Sequence, residues 1–179
     1  MDLFAGGIQG FWSQSNTVEH YTPRYIWERA IRTMGSIDVD PASDPGYNIP
    51  ASTHYTKEDN GLIQPWIGNI WLNPPYGPTV WEWFEKLQKE IDSQNTTQAV
   101  VLWKAATETK AWKTLTEIAP IICLLNRRVS FIRKRCNGGN STFSPVVFYV
   151  GNDARAFVKA YSDIGVIWCR FIPSNKVQP

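Results

Sequence analysis

The sequence predicts an α/β fold in which a central, mostly parallel sheet is flanked by helices. Two observations predict it. Short apolar runs rich in β-branched and aromatic residues recur at "SIDVD", "GNIWLN", "QAVVLWK", "PIICLL", "SPVVFYVG" and "GVIWCRFI", each bounded by turn-formers or charges. Segments of helical periodicity lie between several of them, and strands that are continuously apolar suit a sheet covered on both faces. At 179 residues the chain fits one domain, 1–179, with no repeat, charge block or Gly/Ser linker to divide it.

Taken in order, residues 1–20 contain Gly6, Gly7 and Gly10 but no preceding strand to launch a glycine loop, and read as a flexible or loosely packed arm. "RYIWERAIRTMG" is the first helix, with Thr22 as N-cap, Pro23 at the first helical position and Gly35 as a C-terminal stop. The exposed amides at its start suit a carboxylate. "SIDVD" follows as a strand, and the period of two places Asp38 and Asp40 on one face, where either acid suits a sugar hydroxyl or an amino group. Solvated strand-end acids would look the same. The next strand, "GNIWLN", runs into Asn73-Pro74-Pro75-Tyr76.

"TVWEWFEKLQKEI" is the second helix, with Trp81, Phe84, Leu87 and Ile91 along one face. "QAVVLWK" is a strand, "TKAWKTLTEIA" a helix, "PIICLL" a strand. Then comes "NRRVSFIRKRCNGGNS", in which Arg127, Arg128, Arg133, Lys134 and Arg135 crowd a segment without acids. We read 126–144 as a basic loop suited to phosphates, with Phe131 packed or wedged beside them. "SPVVFYVG", the helix "DARAFVKAYSDIG" and "GVIWCRFI" complete the chain. Of the nine tryptophans, Trp71 and Trp103 fall in apolar strands and are expected in the core, whereas Trp66 and Trp112 suit the rim of a site.

Composition excludes several function classes. Cys123, Cys136 and Cys169 are odd in number and widely spaced, which suggests neither a disulfide framework nor a zinc site and favours a reducing interior. His20 and His54 are expected to be ordinary surface or loop residues, and no metal is implied. There is no secretory pattern and no apolar run of membrane-spanning length, so the expected location is cytoplasmic. The net charge of +2 does not by itself argue for nucleic acid.

In open α/β sheets ligands bind beyond the carboxyl ends of the strands, where Asn73 to Tyr76 leave theirs. Both prolines have fixed φ, and Pro75 biases Pro74 towards an extended conformation. Asn73 and Tyr76 therefore hold a defined relation at little ordering cost. Neither proline has an amide hydrogen, so the loop offers carbonyl oxygens and the Asn73 amide oxygen as acceptors, beside an aromatic face. An exocyclic amino group on a planar base is matched by that arrangement. A rigid strand-terminating turn with a packed tyrosine is the bland alternative.

With "YTPRYIW", "SIDVDPASDP", "ASTHYTKEDNGL", "PWIGNIWLNPPYG", "VVLWKAATETKAW", "LLNRRVSFI" and "STFSPVVFYV" in one order over residues 21–150, the chain resembles the phage-type, Dam-like DNA N6-adenine methyltransferases. The resemblance implies a compact Rossmann-like methyltransferase domain, S-adenosylmethionine as methyl donor, adenine in DNA as acceptor, and a phage or prophage enzyme acting in the bacterial cytoplasm. It makes Asn73, Pro74, Pro75 and Tyr76 the catalytic tetrad. Asn73 Oδ1 and the Pro74 carbonyl would accept from the N6 hydrogens while Tyr76 stacks on the flipped base.

By the same resemblance, Thr22 and Pro23 meet the methionine end of the donor. Asp38, Asp40, Pro41, Ala42 and Asp59 lie along the rest of it, with Asn73 touching both substrates. The family usually has an acid directly before the Gly-Leu pair of "YTKEDNGL", where this chain has Asn60, with Asp59 one position earlier. Thr107, Thr109 and Trp112 match a segment that shapes the target-base pocket. Two other readings stand beside this one. The same tetrad serves enzymes acting on other planar nitrogens, a glutamine amide or cytosine N4, although the basic loop argues against the glutamine amide. A catalytically silent nucleic-acid-binding module is the second.

Overall fold

The computed structural model describes residues 20–129, 132–133 and 144–170. In chain order they form β1 (His20–Tyr21), α1 (Arg24–Met34), β2 (Val39–Asp40), β3 (Thr53–His54), a 3-10 turn (Gly61–Ile63), β4 (Gly68–Leu72), α2 (Trp81–Asp92), β5 (Thr96–Lys104), α3 (Lys110–Ile118), β6 (Ile121–Leu125), β7 (Ile132–Arg133), β8 (Pro145–Val150), α4 (Ala154–Tyr161) and β9 (Gly165–Cys169). All six strands and four helices expected from the sequence are present. The pairs β1–β7 and the two-residue β3 were not foreseen, being too short to show a period.

The main sheet has the order β3-β2-β4-β5-β8-β6-β9. Its β3-β2-β4-β5 half is parallel throughout, and β6 shares that direction, while β8 and β9 run against it. The sheet is therefore mixed, with five strands co-directed and their carboxyl ends on one edge. Continuous apolarity has the expected cause. In β5, Val100 and Leu102 face α1 and α4, whereas Ala99, Val101 and Trp103 face α2 and α3, and all five are buried. At about 25 cal/mol per Å² of apolar surface, this two-sided burial is the main force holding the layers together.

Local signals account for the ends of the elements. Gly35, at φ +87°, closes α1 by donating its N–H to Ile31 O, a conformation in which most side chains are strained. Asp153 and Thr109 cap α4 and α3 by accepting from Ala156 N and Trp112 N. The expected start of α1 needs correction. Pro23 is the N-cap, with ψ 142°, and Thr22 lies outside the helix with its hydroxyl turned elsewhere. The buried face of α2 is also shifted: Trp83, Phe84, Leu87 and Glu90 are buried, while Trp81 and Ile91 pack at its margins.

Candidate active site

The carboxyl edge of the five co-directed strands gathers the segments singled out above. Beyond β4, Asn73 leads into the two prolines. Its Nδ2 donates to Thr22 Oγ1 at 3.2 Å, which ties the segment before α1 to the tetrad. Thr22 is itself buried. Asn73 Oδ1 is buried and has no hydrogen-bond partner among the described residues. Such atoms are rare because an unpaired buried acceptor forfeits its hydration, at about 1–3 kcal/mol. A group donating hydrogens from a ligand would relieve that cost.

Tyr76 lies at the far end of the tetrad, 41% exposed, with its ring stacked on Trp103 at 4.9 Å between centroids and 20° between planes. Desolvation holds its phenol above the ordinary range, so it stays neutral and serves as an aromatic surface.

On the other side of β4, the loops after β2 and β3 are laced together. Tyr55 N donates to Asp40 O at 3.0 Å and Ser43 N donates to Tyr55 O at 2.9 Å. Gly61 packs so closely on this loop that a side chain there would run into the Pro41 carbonyl. Asp40 is 3% exposed, and burial pushes its carboxyl up to about 7, against weaker lowering by hydrogen bonds from Ala42 N and Ser43. Asp40 thus combines burial and a raised pKa with a place at a strand's carboxyl end, beside the strand that leads into Asn73.

The remaining acids differ. Asp59 is exposed and closes its own turn, accepting at Oδ2 from Thr56 N and Thr56 Oγ1, both at 2.8 Å, which lowers its pKa. Asn60 beside it adopts φ +52°, a left-handed conformation that asparagine tolerates better than most residues. Asp38 has one oxygen accepting from Asn69 N at 2.8 Å and the other from Ser36 Oγ at 3.0 Å. Those bonds anchor the amino-terminal end of β4, so the two acids differ in surroundings: Asp38 is engaged by Asn69 and Ser36, and Asp40 is buried at the carboxyl end of β2.

A family model described as DNA N-6-adenine-methyltransferase (Dam) matches residues 14–166. The chain belongs to that family. A search of the curated proteins finds no match. Membership in the DNA N6-adenine-methyltransferases makes methylation of adenine N6 in DNA the general activity, and the mixed α/β sheet is the corresponding methyltransferase fold.

Within this methyltransferase, the structure brings together Thr22, Pro23, Asp40, Pro41, Ala42, Asn73, Pro74, Pro75 and Tyr76 at neighbouring strand and helix ends. Thr107 is exposed in the turn after β5, and Trp112, on α3, packs edge-on to Phe148 at 5.3 Å. Thr109 is a helix cap, its hydroxyl donating to Ala106 O and accepting from Trp112 N. Trp66 is not a rim residue. It is fully buried, its Nε1 donates to Gly61 O at 2.8 Å, and its ring stacks near Trp83. His54 sits in β3 rather than a loop, with Nε2 2.7 Å from Ile49 O.

Arg127 and Arg128 are exposed just beyond β6, on the same edge as the tetrad. The charge of Arg127, with that of Arg29, acts on the Tyr25 phenol, whose pKa desolvation raises. This places Arg127 near the first turn of α1. Arg133 lies in β7, whose backbone pairs with β1, and Lys134, Arg135 and Phe131 lie outside the described residues. Among the described residues no group of three or more His, Cys, Asp or Glu could hold a metal, and no helix is long and apolar enough to cross a membrane.

Trp71 and Trp103 are core residues, as expected, both 1% exposed. Three contacts have no signal in the sequence: the Thr22 hydroxyl accepting from the Asn73 amide, the Tyr76 ring on Trp103, and the close approach of Gly61 to the Pro41 carbonyl.

Proposed function

We propose that the chain methylates the N6 amino group of adenine in DNA with S-adenosylmethionine as donor, and that it is a phage or prophage enzyme. The observation that carries the reading is Asn73 Oδ1, a buried acceptor without a partner among the described residues, at the carboxyl end of β4 with Tyr76 three residues on.

The residues fit the donor. A carboxylate end suits the segment Thr22–Pro23 before α1, because the amides of Arg24 and Tyr25 precede the first bonded amide, Ile26 N to Pro23 O. Hydroxyls or an amino group suit Asp40, at the end of β2, with Pro41 and Ala42 following it and Asp59 in the turn after β3. When bound, S-adenosylmethionine supplies an electrophilic methyl group.

The protein's own contribution is positioning and electrostatics. Asn73 Oδ1 and the Pro74 carbonyl accept the two N6 hydrogens, which turns the nitrogen lone pair out of conjugation with the ring and towards the methyl group. As the nitrogen becomes tetrahedral and positive, both hydrogen bonds strengthen, so they favour the transition state over the ground state. The proton leaves after the methyl arrives. No side-chain base is required before attack, because the nitrogen can release its proton after the methyl group arrives. Tyr76 holds the flipped base by stacking. Arg127 and Arg128 meet phosphates.

Transfer of labelled methyl from S-adenosylmethionine to unmethylated DNA, followed by nucleoside analysis, tests this directly. N6-methyl-2′-deoxyadenosine is the expected product. Label in cytosine, or in a glutamine side chain of a protein acceptor, would change the acceptor while keeping the donor. Donor binding without transfer to any acceptor would overturn the reading.

A further inference from the structure

We propose that Trp103 is a positioning residue for the target base, acting through Tyr76: its buried indole sets the plane of the tyrosine on which the flipped adenine stacks. This deepens the reading above and rests on it.

Trp103 is the penultimate residue of β5 and only 1% exposed. Because Leu72 pairs with Val101, Trp103 lies two residues further along β5, level with the tetrad. Its ring lies under Tyr76 at 4.9 Å and 20°, and Phe84 of α2 meets it edge-on at 5.6 Å and 75°. The indole is thus fixed by a strand backbone on one side and a helix residue on another. Tyr76 is held differently. The prolines fix the backbone before it, and packing on Trp103 restricts its two side-chain torsions.

The indole N–H gives a second, independent observation. Among the described residues, two buried side-chain polar atoms lack a partner, Asn73 Oδ1 at the start of the tetrad and Trp103 Nε1 on the ring that stacks with Tyr76 at its end. A plain core position would be filled at less cost by an apolar ring, since an unpaired buried donor is unfavourable. The indole supplies the broadest flat face available to a side chain, broad enough to lie beneath a tyrosine ring. Holding Tyr76 before the base arrives removes ordering cost from binding and fixes the base plane relative to Asn73 Oδ1.

The experiment uses the full chain and a duplex whose methylated adenine has been located from the product DNA, with 2-aminopurine placed at that position as a stacking probe. Trp103→Phe keeps a narrower stacking face and loses no hydrogen bond, so its effect on KM for DNA and on the probe signal should be smaller than that of a side chain with no ring. Trp103→Met replaces the ring with a smaller, flexible apolar side chain that has no plane. It should raise KM for DNA and weaken the probe signal about two- to tenfold, with donor affinity unchanged. In a Tyr76→Ala background the Met substitution should add nothing further, because the residue acts through Tyr76.

A wild-type measurement removes dependence on any variant's folding. Tyr76 ring resonances, shifted by the indole ring current in the free protein, should keep that shift when DNA binds. Loss of the shift on binding would mean that Tyr76 leaves Trp103 to receive the base, which overturns the proposal. So would a folded Trp103→Met protein that matches wild type, or one whose defect is equally large without Tyr76. Failure of the wild-type protein to methylate adenine would instead count against the proposed function itself.

Discussion

Asn73 carries one acceptor and two donors on a side chain whose direction decides which of them a ligand meets. Its Nδ2 is engaged by Thr22 and its Oδ1 is left without a partner among the described residues. Asn73→Ala should lower turnover about a hundredfold or more with DNA binding nearly intact, since it removes contacts that strengthen in the transition state. Tyr76→Phe should keep much of the activity, whereas Tyr76→Ala forfeits about 1–3 kcal/mol of base stacking. Methyl transfer by variants first shown to fold and to bind donor separates these outcomes from a merely structural turn, in which both alanine variants lose stability and activity together. Thr22 divides two roles. If its main task is to hold the amide, Thr22→Val should lower kcat about tenfold, the loss of one ordinary hydrogen bond, with donor affinity unchanged, and Thr22→Ser should recover it. A rise in the donor dissociation constant with kcat preserved would return Thr22 to the methionine end of the donor.

At the scale of elements, the legible parts were those with their own periodicity or end signals. Gly35 and Asp153 mark helix ends, and the apolar runs of β4, β5, β6 and β8 mark buried strands. What could not be read was contact between distant segments. The Thr22 hydroxyl reaches an amide fifty-one positions away, and a threonine before a proline looks like a helix cap in any sequence. The strand residue Trp103 is apolar in pattern, and its contact with Tyr76 arises only through the turn that follows β4. The burial of Trp66 was not legible either, because a tryptophan between a proline and an isoleucine gives no sign that its N–H will find the Gly61 carbonyl. The segment after β6 allows a prediction of its own. Arg127 and Arg128 are exposed at the sheet's carboxyl edge, so replacing both with glutamine should weaken DNA binding across sequences and reduce the steepness of its salt dependence by about two phosphate contacts. Donor affinity should not change. Filter-binding or anisotropy titrations across a range of salt would show it, and an unaltered slope would place the duplex on another part of the edge.

For the whole molecule, the most consequential charge is the one the fold hides. Asp40 is buried with Ala42 N and Ser43 as hydrogen-bonding neighbours and Asp44 as a nearby like charge, and desolvation raises its pKa from 3.8 to about 7. The sign of the linkage follows from which state holds the proton. Between about pH 4 and pH 7 the unfolded chain has lost it and the folded chain keeps it, so stability falls as pH rises through this window and levels off above 7. Asp40→Asn removes the effect. Without donor, the variant's advantage in Tm over wild type should grow from about pH 4 to pH 7 and then stay constant. Donor binding should run in the opposite direction. If ionised Asp40 accepts from donor hydroxyls or its amino group, donor affinity should rise with pH up to about 7, and binding below that pH should release a proton, visible in calorimetry as a heat that depends on the buffer's ionisation enthalpy. Asp40→Asn should abolish both the pH dependence and the proton release. A wild-type donor affinity that is flat from pH 5 to pH 8, together with an unchanged affinity in the variant, would show that the acid is a structural group of the β2 loop and that the donor is held by the segment at Thr22 and Pro23 alone.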